Sequence, residues 1–430
     1  MIRVLHFADL HLGVENYGRL DPKTGLSTRL GDFLRAFDTL VEYALKSDIH
    51  LVLFAGDAYK GRKPSPTLQR EFAKRIRRLA EAKIPIFLLA GNHDMPRAVS
   101  RATSVEIFDT LAISNVWVKG VPGTEIIETK GGPVQLVALP WVNRGWLLSK
   151  EEHTGKSLLE IDFLIAEKWE RIVENEIEHL DQKIPALLVA HGTVFGAVYG
   201  SERSVILGQE MVIPRSAVTN PAFDYVALGH IHKHQVLNEN PPVVYAGSME
   251  RVDFGEEGEE KGFVVVEIDN GQVGWEFIPL EARPFVTISV EAKGADPMSQ
   301  ILEALSHFEV EEAIVRVLIS TTAEAAPLIK EKEVRKSLGK AFLVATISKD
   351  VERAPRLRLG RRWVSLRDPG GEEMPPQEVL ERYLEAKGVP PERAKVLLAH
   401  ARKLIEGSSP GPWPDNCQSG QDRLASSGAG

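Results

Sequence analysis

The sequence predicts an α/β protein whose sheet contains parallel strands. Five short runs, mostly apolar and in several cases rich in β-branched residues, have the composition of strands buried on both faces. Two stretches between the first three runs, Arg29–Lys46 and Pro66–Ala82, repeat apolar residues at helical spacing. Strand–helix–strand units of this kind give parallel strands joined by right-handed crossovers. The predicted strands are Ile2–Ala8, Ile49–Ala55, Ile84–Ala90, Ile184–Ala190 and Phe223–Leu228.

A short packet of polar residues follows each predicted strand. In parallel sheets the ligand site lies beyond the carboxyl ends of the strands. We therefore expect the packets to meet at one edge, so that Asp9 and His232 become neighbours although they are far apart in the sequence. The packets are Asp9-Leu10-His11, Gly56-Asp57, Gly91-Asn92-His93-Asp94, His191-Gly192 and Gly229-His230-Ile231-His232.

Seven side chains in these packets are candidate metal ligands. The aspartates offer anionic oxygens, Asn92 a neutral carbonyl oxygen and the histidines imidazole nitrogens, a mixture that suits Mn²⁺, Fe or Zn²⁺ better than Ca²⁺. Two cations about 3.5–4 Å apart can activate a water and stabilise both the attacking and the leaving oxygen of a phosphate ester. A carboxylate such as Asp57 can bridge them. The candidates are Asp9, His11, Asp57, Asn92, His191, His230 and His232.

Each packet on its own has an ordinary structural explanation. A single His-x-His is more often a capped or surface pair than a metal site, and Gly-Asp after a strand is often a turn. The ordered set of five packets, all at strand ends, favours a two-metal site that hydrolyses phosphate esters.

The order of the packets resembles that of the calcineurin-like metallophosphoesterases, and three longer stretches resemble the SbcD family of DNA-repair exonucleases. Members of this family are nuclease subunits that work with an ABC-type ATPase. The resemblance is specific from Met1 to about Leu280 and weaker to about Gly407. The stretches are Tyr17-Gly18-Arg19 with Gly25-Leu26-Ser27-Thr28-Arg29, HGTVFGAVYGSERSVILG from His191 to Gly208, and YAGSMERVDFGEEGEEKGF from Tyr245 to Phe263.

The resemblance implies a fold, an activity and a set of ligands. The fold is a two-sheet metallophosphoesterase sandwich flanked by helices, followed by a small α/β capping domain and a C-terminal helix pair. The activity is Mn²⁺-dependent cleavage of DNA, as a double-strand exonuclease and a single-strand endonuclease, with two divalent metal ions. The ligands of one ion would be Asp9, His11, Asp57 and His232, and those of the other Asp57, Asn92, His191 and His230.

His93 is a catalytic residue rather than a ligand in this family. It faces the scissile phosphate and helps to stabilise or protonate the leaving oxygen. The residue chemistry agrees, because a histidine beside a metal ligand is within reach of the substrate and has a pKa suited to proton transfer. Asp94 has two interpretations: it orients His93, or it forms a turn.

Lys60 is a departure from the family pattern. Many relatives have a histidine at this position, three residues after Asp57, and a lysine is a poor proton shuttle unless its pKa falls. The substrate-positioning role of that histidine therefore does not carry over. Lys60, Arg62 and Arg19 are instead candidate contacts to the phosphates of the substrate, with solvated loops as the alternative.

Composition limits the class of protein. The chain has 430 residues, a net charge of −8 and one cysteine, Cys417, which rules out an internal disulfide framework. No segment has the length and apolarity of a membrane span and no signal peptide is visible, so we expect a cytoplasmic protein without a membrane partner. The negative charge argues against a DNA-coating protein, but not against a nuclease whose metal ions bring positive charge.

The chain is long enough for several domains. Strand-like runs at Val243–Ala246, Gly262–Ile268 and Gly274–Pro279 close the first domain. A smaller strand–helix alternation follows Arg283-Pro284 and includes a predicted helix over Ala325–Leu338. In the family that second domain caps the site and helps to hold DNA; the alternative is a purely structural appendage. The predicted segments are a nuclease domain (1–282), a capping domain (283–350), a basic linker (351–376), a helix pair (377–406) and a disordered tail (407–430).

The segments after the capping domain leave alternatives open. The linker has six arginines and no acid between Arg353 and Arg367, so it either follows a phosphate backbone or is a solvated connector. Two amphipathic helices, Gln377–Lys387 and Glu392–Ile405, must bury their apolar stripes. In the family they bind the coiled-coil base of the ATPase; the alternative is docking on the chain's own core.

Three functions remain to be compared. The leading one is a DNA nuclease subunit that binds DNA and an SbcC-type ATPase and forms homodimers through its catalytic domain, as the family does. A phosphodiesterase for small substrates would have no use for a cap and partner-binding helices. A non-catalytic scaffold that tethers the ATPase to DNA would have no need of the full ligand set and His93.

Overall fold

The computed structural model describes most of the chain. No helix among the described residues is long and apolar enough to cross a membrane. Residues 201–208 of the second family stretch, several arginines of the basic linker and the predicted tail at 407–430 lie outside the described residues. The described residues are 1–96, 101–141, 155–200, 212–352, 356–359, 362–365, 375–387 and 389–405.

The described residues form two compact units. The first contains residues 1–290, 302–318 and 331–348, and the second contains 291–301, 319–330 and the described part of 349–430. Of the strands among the described residues, fourteen lie wholly within the first unit. They are β1 (Ile2–Phe7), β2 (Leu51–Phe54), β3 (Ile86–Leu89), β4 (Val116–Lys119), β5 (Gly123–Thr129), β6 (Gly132–Leu139), β7 (Ala186–His191), β8 (Thr193–Val194), β9 (Val212–Ile213), β10 (Tyr225–Gly229), β11 (Gln235–Glu239), β12 (Pro242–Tyr245), β13 (Gly262–Asp269) and β14 (Gln272–Pro279).

Two six-stranded sheets are built from these strands. The first has the order β14-β13-β1-β2-β3-β4, and β1 to β4 run parallel, with His6 opposite Leu53. The second has the order β11-β12-β10-β7-β6-β5, and β12, β10, β7 and β6 run parallel. Strands β8 and β9 form a separate short pair. The predicted strands are present, most of them shorter by one or two residues at an end.

The core between the two sheets is apolar because alternate residues of each strand face it. Leu51 and Leu53 of β2 and Leu187 and Val189 of β7 are fully buried in one cluster with residues of β1, β3, β6, β10, β12 and β13. The structure therefore confirms the predicted two-sheet sandwich.

Helices cover the outer faces. Phe37 of α1 (Thr28–Lys46) and Phe72 of α2 (Pro66–Glu81) join a cluster on the first sheet, and Trp169 joins one on the second. Trp169 belongs to α4 (Leu158–Glu178), which follows the short α3 (Ile107–Thr110) and precedes the short α5 (Arg215–Val218).

The strand–helix alternation predicted after Arg283 is present. A three-stranded sheet has the order β15-β16-β17. The predicted helix over Ala325–Leu338 is wrong in its first half, where a 3₁₀ turn over Ala326–Leu328 includes Pro327, and proline is unfavourable inside an α-helix. The elements are β15 (Phe285–Ala292), α6 (Pro297–Ser306), β16 (Ile314–Thr322), α7 (Glu331–Ser337) and β17 (Leu343–Glu352).

The C-terminal segments contain a hairpin and a helix pair. Strands β18 (Arg356–Leu359) and β19 (Arg362–Ser365) pair antiparallel within the predicted basic linker. Helices α8 (Pro376–Ala386) and α9 (Pro391–Ile405) match the two predicted amphipathic helices and contact each other. Leu384 is buried.

Candidate metal centre

The five polar packets meet where the two sheets present the carboxyl ends of their parallel strands. Asp9 and Asp57 follow β1 and β2, Asn92 follows β3, and His191 and His230 stand at the ends of β7 and β10. Their donor atoms form three groups, each within 4.8 Å, and Asp57 belongs to two of them. The groups are Asp9 with His11 and His232, His11 with Asp57 and His93, and Asp57 with His191 and His230.

One half of the site lies between β1 and the His230-Ile231-His232 turn. The Nε2 atoms of His11 and His232 are 2.9 Å apart, and His11 Nε2 lies 3.7 Å from Asp57 Oδ2 and 3.9 Å from Asp9 Oδ1. Two imidazole lone pairs that face each other at this distance repel unless a proton or a cation lies with them. This half is therefore suited to a cation.

The other half is centred on Asn92. Its Oδ1 lies 3.0 Å from both His191 Nε2 and His230 Nδ1. Asp57 Oδ1 lies 3.5 Å from His191 Nε2. Because Oδ2 of Asp57 faces the first half and Oδ1 the second, this carboxylate has the placement of a bridging ligand.

Charge in the centre favours cations. Burial lowers the pKa of His191, but the Asp57 carboxylate, with Asp9 and the Ala55 carbonyl, outweighs the effect of burial and raises the pKa to about 9. For Asp57, burial raises the pKa, but the histidines around it, His191 first, hold the value well below the usual range. Imidazole nitrogens, carboxylates and one amide oxygen make a donor set that fits a pair of borderline divalent ions.

The backbone at the site adopts a conformation that L-residues rarely take. The φ angles are +52° at Asp9, +44° at His11, +64° at Asp57 and +103° at His230. Such angles cost energy and persist only where the surroundings enforce them. Here the Asp9 and His11 amides donate to the carbonyls of Gly56 and Asp57 at 3.0 Å, which ties the first two packets together.

A glycine lets the loops approach one another. A Cβ atom on Gly91 would lie 2.1 Å from Asp57 Oδ1 and 2.5 Å from the Asp57 amide nitrogen. Only a residue without a side chain leaves room for the Asp57 carboxylate at this point.

His93 lies at the open side of the centre. Its side chain is 41% exposed, whereas that of Asp57 is 2% exposed, and its Nε2 is 4.0 Å from Asp57 Oδ2. Its Nδ1 is 2.5 Å from the carbonyl oxygen of Lys60. The Lys60 backbone, rather than Asp94, therefore orients the ring and directs Nε2 toward the centre.

Asp94 supports the loops instead. Its buried carboxylate accepts hydrogen bonds from the Gly91, Asp57 and Ala58 amides and from the Ser104 hydroxyl. These contacts match the turn-forming interpretation of Asp94.

The predicted substrate contacts are on the surface. Lys60, Arg62 and Arg19 are all exposed. Arg19 lines a cavity of about 580 Å³ together with Ser65 and Thr67 at the start of α2.

Three residues near the histidines were not predicted. Glu256 Oε1 is 2.7 Å from His232 Nδ1, and Lys261 Nζ is 2.8 Å from Glu256 Oε2. The Trp141 ring lies 5.2 Å from that of His230. Glu256 and Lys261 belong to the third stretch that resembles the SbcD family. That resemblance was the sequence signal that could have identified them.

Comparison with known proteins identifies the family. A family model described as calcineurin-like phosphoesterase matches residues 2–234. The SbcD component of the nuclease SbcCD of Rhodobacter capsulatus is 28% identical over 331 residues, 71% of this chain and 75% of the relative. The DNA double-strand break repair protein Mre11 of Haloferax volcanii is 28% identical over 322 residues, 74% of this chain and 61% of the relative. Mre11 of Archaeoglobus fulgidus is 25% identical over 339 residues, 75% of this chain and 69% of the relative.

The similarity of this chain to solved structures is lower than its similarity to the sequence relatives. A dimetal phosphatase from Danio rerio has a TM-score of 0.37 and 12% identity, covering 64% of this chain and 95% of that one. The sequence relatives confirm the resemblance to SbcD, and the family match confirms the predicted class of enzyme, a metal-dependent phosphodiesterase. The chain belongs to the calcineurin-like phosphoesterases.

Proposed function

We propose that this chain is the Mn²⁺-dependent nuclease subunit of a DNA-repair complex of the SbcCD type. It would act as a double-strand exonuclease and a single-strand endonuclease. The strongest support is the Asp57 carboxylate, whose two oxygens face two separate sets of donors. The sequence relatives, one a nuclease component and two of them double-strand break repair proteins, support DNA as the substrate.

In this proposal the seven buried or half-buried side chains would hold two divalent ions, and Asp57 would belong to both sets of ligands. The ions, when bound, would supply an activated water and stabilise the attacking and leaving oxygens. The protein's part is to fix the positions of the donors. One ion would have Asp9, His11, Asp57 and His232 as ligands, and the other Asp57, Asn92, His191 and His230.

His93 would protonate or hydrogen-bond the leaving oxygen. The Lys60 carbonyl accepts from Nδ1–H, so Nε2 is the ring nitrogen that can take up a second proton and pass it to the leaving oxygen. Its exposure allows a substrate phosphate to reach it. The exposed side chains of Lys60, Arg62 and Arg19 would contact phosphates along the DNA backbone.

Each segment of the chain would have its own role in the complex. Residues 1–282 would carry the nuclease site and the homodimer contact, and 283–350 would cap the site and hold DNA. Residues 351–376 would link to the helix pair at 377–406, which would bind an ABC-type ATPase of the SbcC type. The complex would work in the cytoplasm, at the nucleoid.

Digestion of linear double-stranded DNA by the purified chain with Mn²⁺ or Mg²⁺ tests this function. We expect metal-dependent digestion, abolished in an Asp57→Ala variant that also loses both metal sites in titration calorimetry. Bis-p-nitrophenyl phosphate serves as the small substrate. Hydrolysis of this ester without cleavage of DNA, with or without the ATPase, would contradict the proposal, as would two intact Mn²⁺ sites in Asp57→Ala.

A further inference from the structure

The stretch from Tyr245 to Phe263 contributes no candidate metal ligand, yet it packs two charged residues beneath one. The side chains of Glu256 and Lys261 are both 0% exposed. Glu256 ends the 3₁₀ turn Phe254–Glu256, and Lys261 directly precedes β13. Burial of two charged groups is costly and calls for a reason.

Their contacts form a chain that ends at His232. Glu256 Oε1 lies 2.7 Å from Nδ1 of His232, and Glu256 Oε2 lies 2.8 Å from Nζ of Lys261. The same Nζ is 3.1 Å from the carbonyl oxygen of His232 and 2.9 Å from Oγ of Ser248. Lys261 therefore holds both the backbone of His232 and the carboxylate that contacts its ring.

This arrangement decides which ring nitrogen of His232 carries the proton. A carboxylate paired with an ammonium group can only accept hydrogen bonds, so Nδ1 of His232 must donate. A neutral imidazole with a proton on Nδ1 has its lone pair on Nε2. That atom faces His11 Nε2 at 2.9 Å, in the half of the centre that also contains Asp9.

The other half of the centre has a different support. His191 is oriented by the Ala55 carbonyl, 2.6 Å from its Nδ1, and not by a charged pair. A change at Glu256 or Lys261 should therefore act on one of the two metal positions and spare the other.

We propose that Glu256 and Lys261 are positioning residues that present Nε2 of His232 to the metal ion shared with Asp9 and His11. The proposal rests on the proposed two-metal function. Partners of this kind fix the tautomer and orientation of a ligating histidine.

Glu256→Gln reverses the hydrogen bond while nearly preserving shape. Lys261 would attract the amide oxygen, so the amide NH₂ group would face His232 Nδ1 and force the proton onto Nε2. We expect Mn²⁺ binding at one site to weaken by about 10- to 100-fold, the usual effect of losing such a partner, and the other site to remain. In Glu256→Gln/Lys261→Met the Val252 amide, which lies 2.9 Å from Glu256 Oε2, still holds the amide oxygen at that position, so binding at this site should stay weak.

Two measurements test this. Titration calorimetry with Mn²⁺ reports the two sites, and nitrogen NMR of the metal-free, histidine-labelled protein reports the His232 tautomer, with a His232→Gln sample to assign its signals. Glu259→Gln is the matched control, because Glu259 Oε2 also lies 2.8 Å from Lys261 Nζ. It should leave both the tautomer and the affinities as in the wild type.

An Nδ1-protonated His232 together with wild-type Mn²⁺ affinity in Glu256→Gln would overturn the proposal. If that variant does not fold, the double variant, which also removes the buried Lys261 charge, decides: the proposal requires a proton on Nε2 of His232, because the Val252 amide still orients the side-chain amide, and Nδ1 protonation would refute it. The NMR result does not depend on nuclease activity. A tautomer switch in a chain that cleaves no DNA would refute the proposed function and leave the positioning role standing.

Discussion

His93 differs from the histidines around it in its exposure and its partner. Its side chain is 41% exposed, whereas His191 and His11 are 0% and 6% exposed. We predict that His93→Ala keeps both metal sites and DNA binding, while hydrolysis falls by about 10²-fold or more, the usual scale of general acid–base catalysis. Single-turnover cleavage in Mn²⁺ measures this, with metal content checked by titration. Near-normal cleavage by this variant would show that His93 does not take part in the reaction.

Gly91 offers a second test at the scale of one residue. A Cβ atom there would meet Asp57 Oδ1 at 2.1 Å and the Asp57 amide at 2.5 Å, so the carboxylate must move in Gly91→Ala. We expect weaker Mn²⁺ binding at both sites, because Asp57 faces both. Gly61→Ala is the matched control, since a Cβ atom on Gly61 has no neighbour within 4 Å. Equal metal affinity in the two variants would show that Asp57 has room to shift without loss.

The residue types at the centre could be predicted from the sequence, but their support could not. Packets at strand ends bring Asp9 and His232 together because parallel strands end at one edge. The left-handed backbone at Asp9 and His230 depends on contacts between distant loops. The Glu256–Lys261 pair depends on how a turn packs below His232, and no spacing rule reveals it. The orienting group of His93 is a backbone carbonyl, which every residue has.

At the scale of elements, β1 links the two sheets through His6. The residue is fully buried, and its Nδ1 lies 3.0 Å from the hydroxyl of Tyr225 in β10. Burial disfavours the charged ring and lowers the pKa of His6 to about 3. In the unfolded chain His6 titrates near 6.5. As pH falls from about 6.5 toward 3, His6 binds a proton in the unfolded state but not in the folded state. The free energy of unfolding therefore decreases over that interval.

We predict that the free energy of unfolding of His6→Gln falls less steeply with decreasing pH than that of the wild type. One proton corresponds to about 1.4 kcal/mol per pH unit. Urea unfolding between pH 7 and 4 measures the slope, and His179→Gln, at an exposed position, is the control. An unchanged slope in His6→Gln would mean that the buried ring is protonated or that its site opens in acid.

Elements with a strong period were predictable, and their ends were less so. Helix α1 begins and ends within one residue of its prediction, because its apolar stripe is regular. Helix α4 was missed although Ser157 and Glu160 form a capping box before it. Its exposed Phe163 interrupts the division into an apolar and a polar face. The helix expected over Ala325–Leu338 is divided by a 3₁₀ turn that includes Pro327.

At the scale of the whole molecule, the sequence predicts an order of segments but not the way in which they pack. Pro/Gly breaks and the arginine-rich stretch mark where the helix pair begins. The antiparallel pairing of Arg356–Leu359 with Arg362–Ser365 is a matter of register, which composition alone does not determine. Likewise, the partner that an amphipathic helix binds depends on the surface of that partner as well as on the helix.

The helix pair supplies the last prediction, which belongs to the proposed partnership with an ATPase. Leu384 of α8 is buried, whereas Val396 of α9 is 56% exposed. An exposed apolar side chain on a short helix gains stability when a partner covers it, and a buried side chain of this size contributes about 1.5–3 kcal/mol. We expect Val396→Asp to weaken ATPase binding by at least tenfold, whereas Lys395→Asp, on the neighbouring exposed position, should have a small effect.

Deletion of residues 377–430 extends the same test. Mn²⁺-dependent cleavage of exposed DNA ends should remain, and ATPase binding with any ATP-dependent stimulation should be lost. The double change Leu384→Asp with Leu398→Asp should act like the deletion, because it places a charge in the apolar stripe of each helix. Co-purification of that variant with its ATPase at normal stoichiometry would refute docking through the pair. A large fall in the melting temperature of the isolated protein would show instead that the helices stabilise the chain's own core.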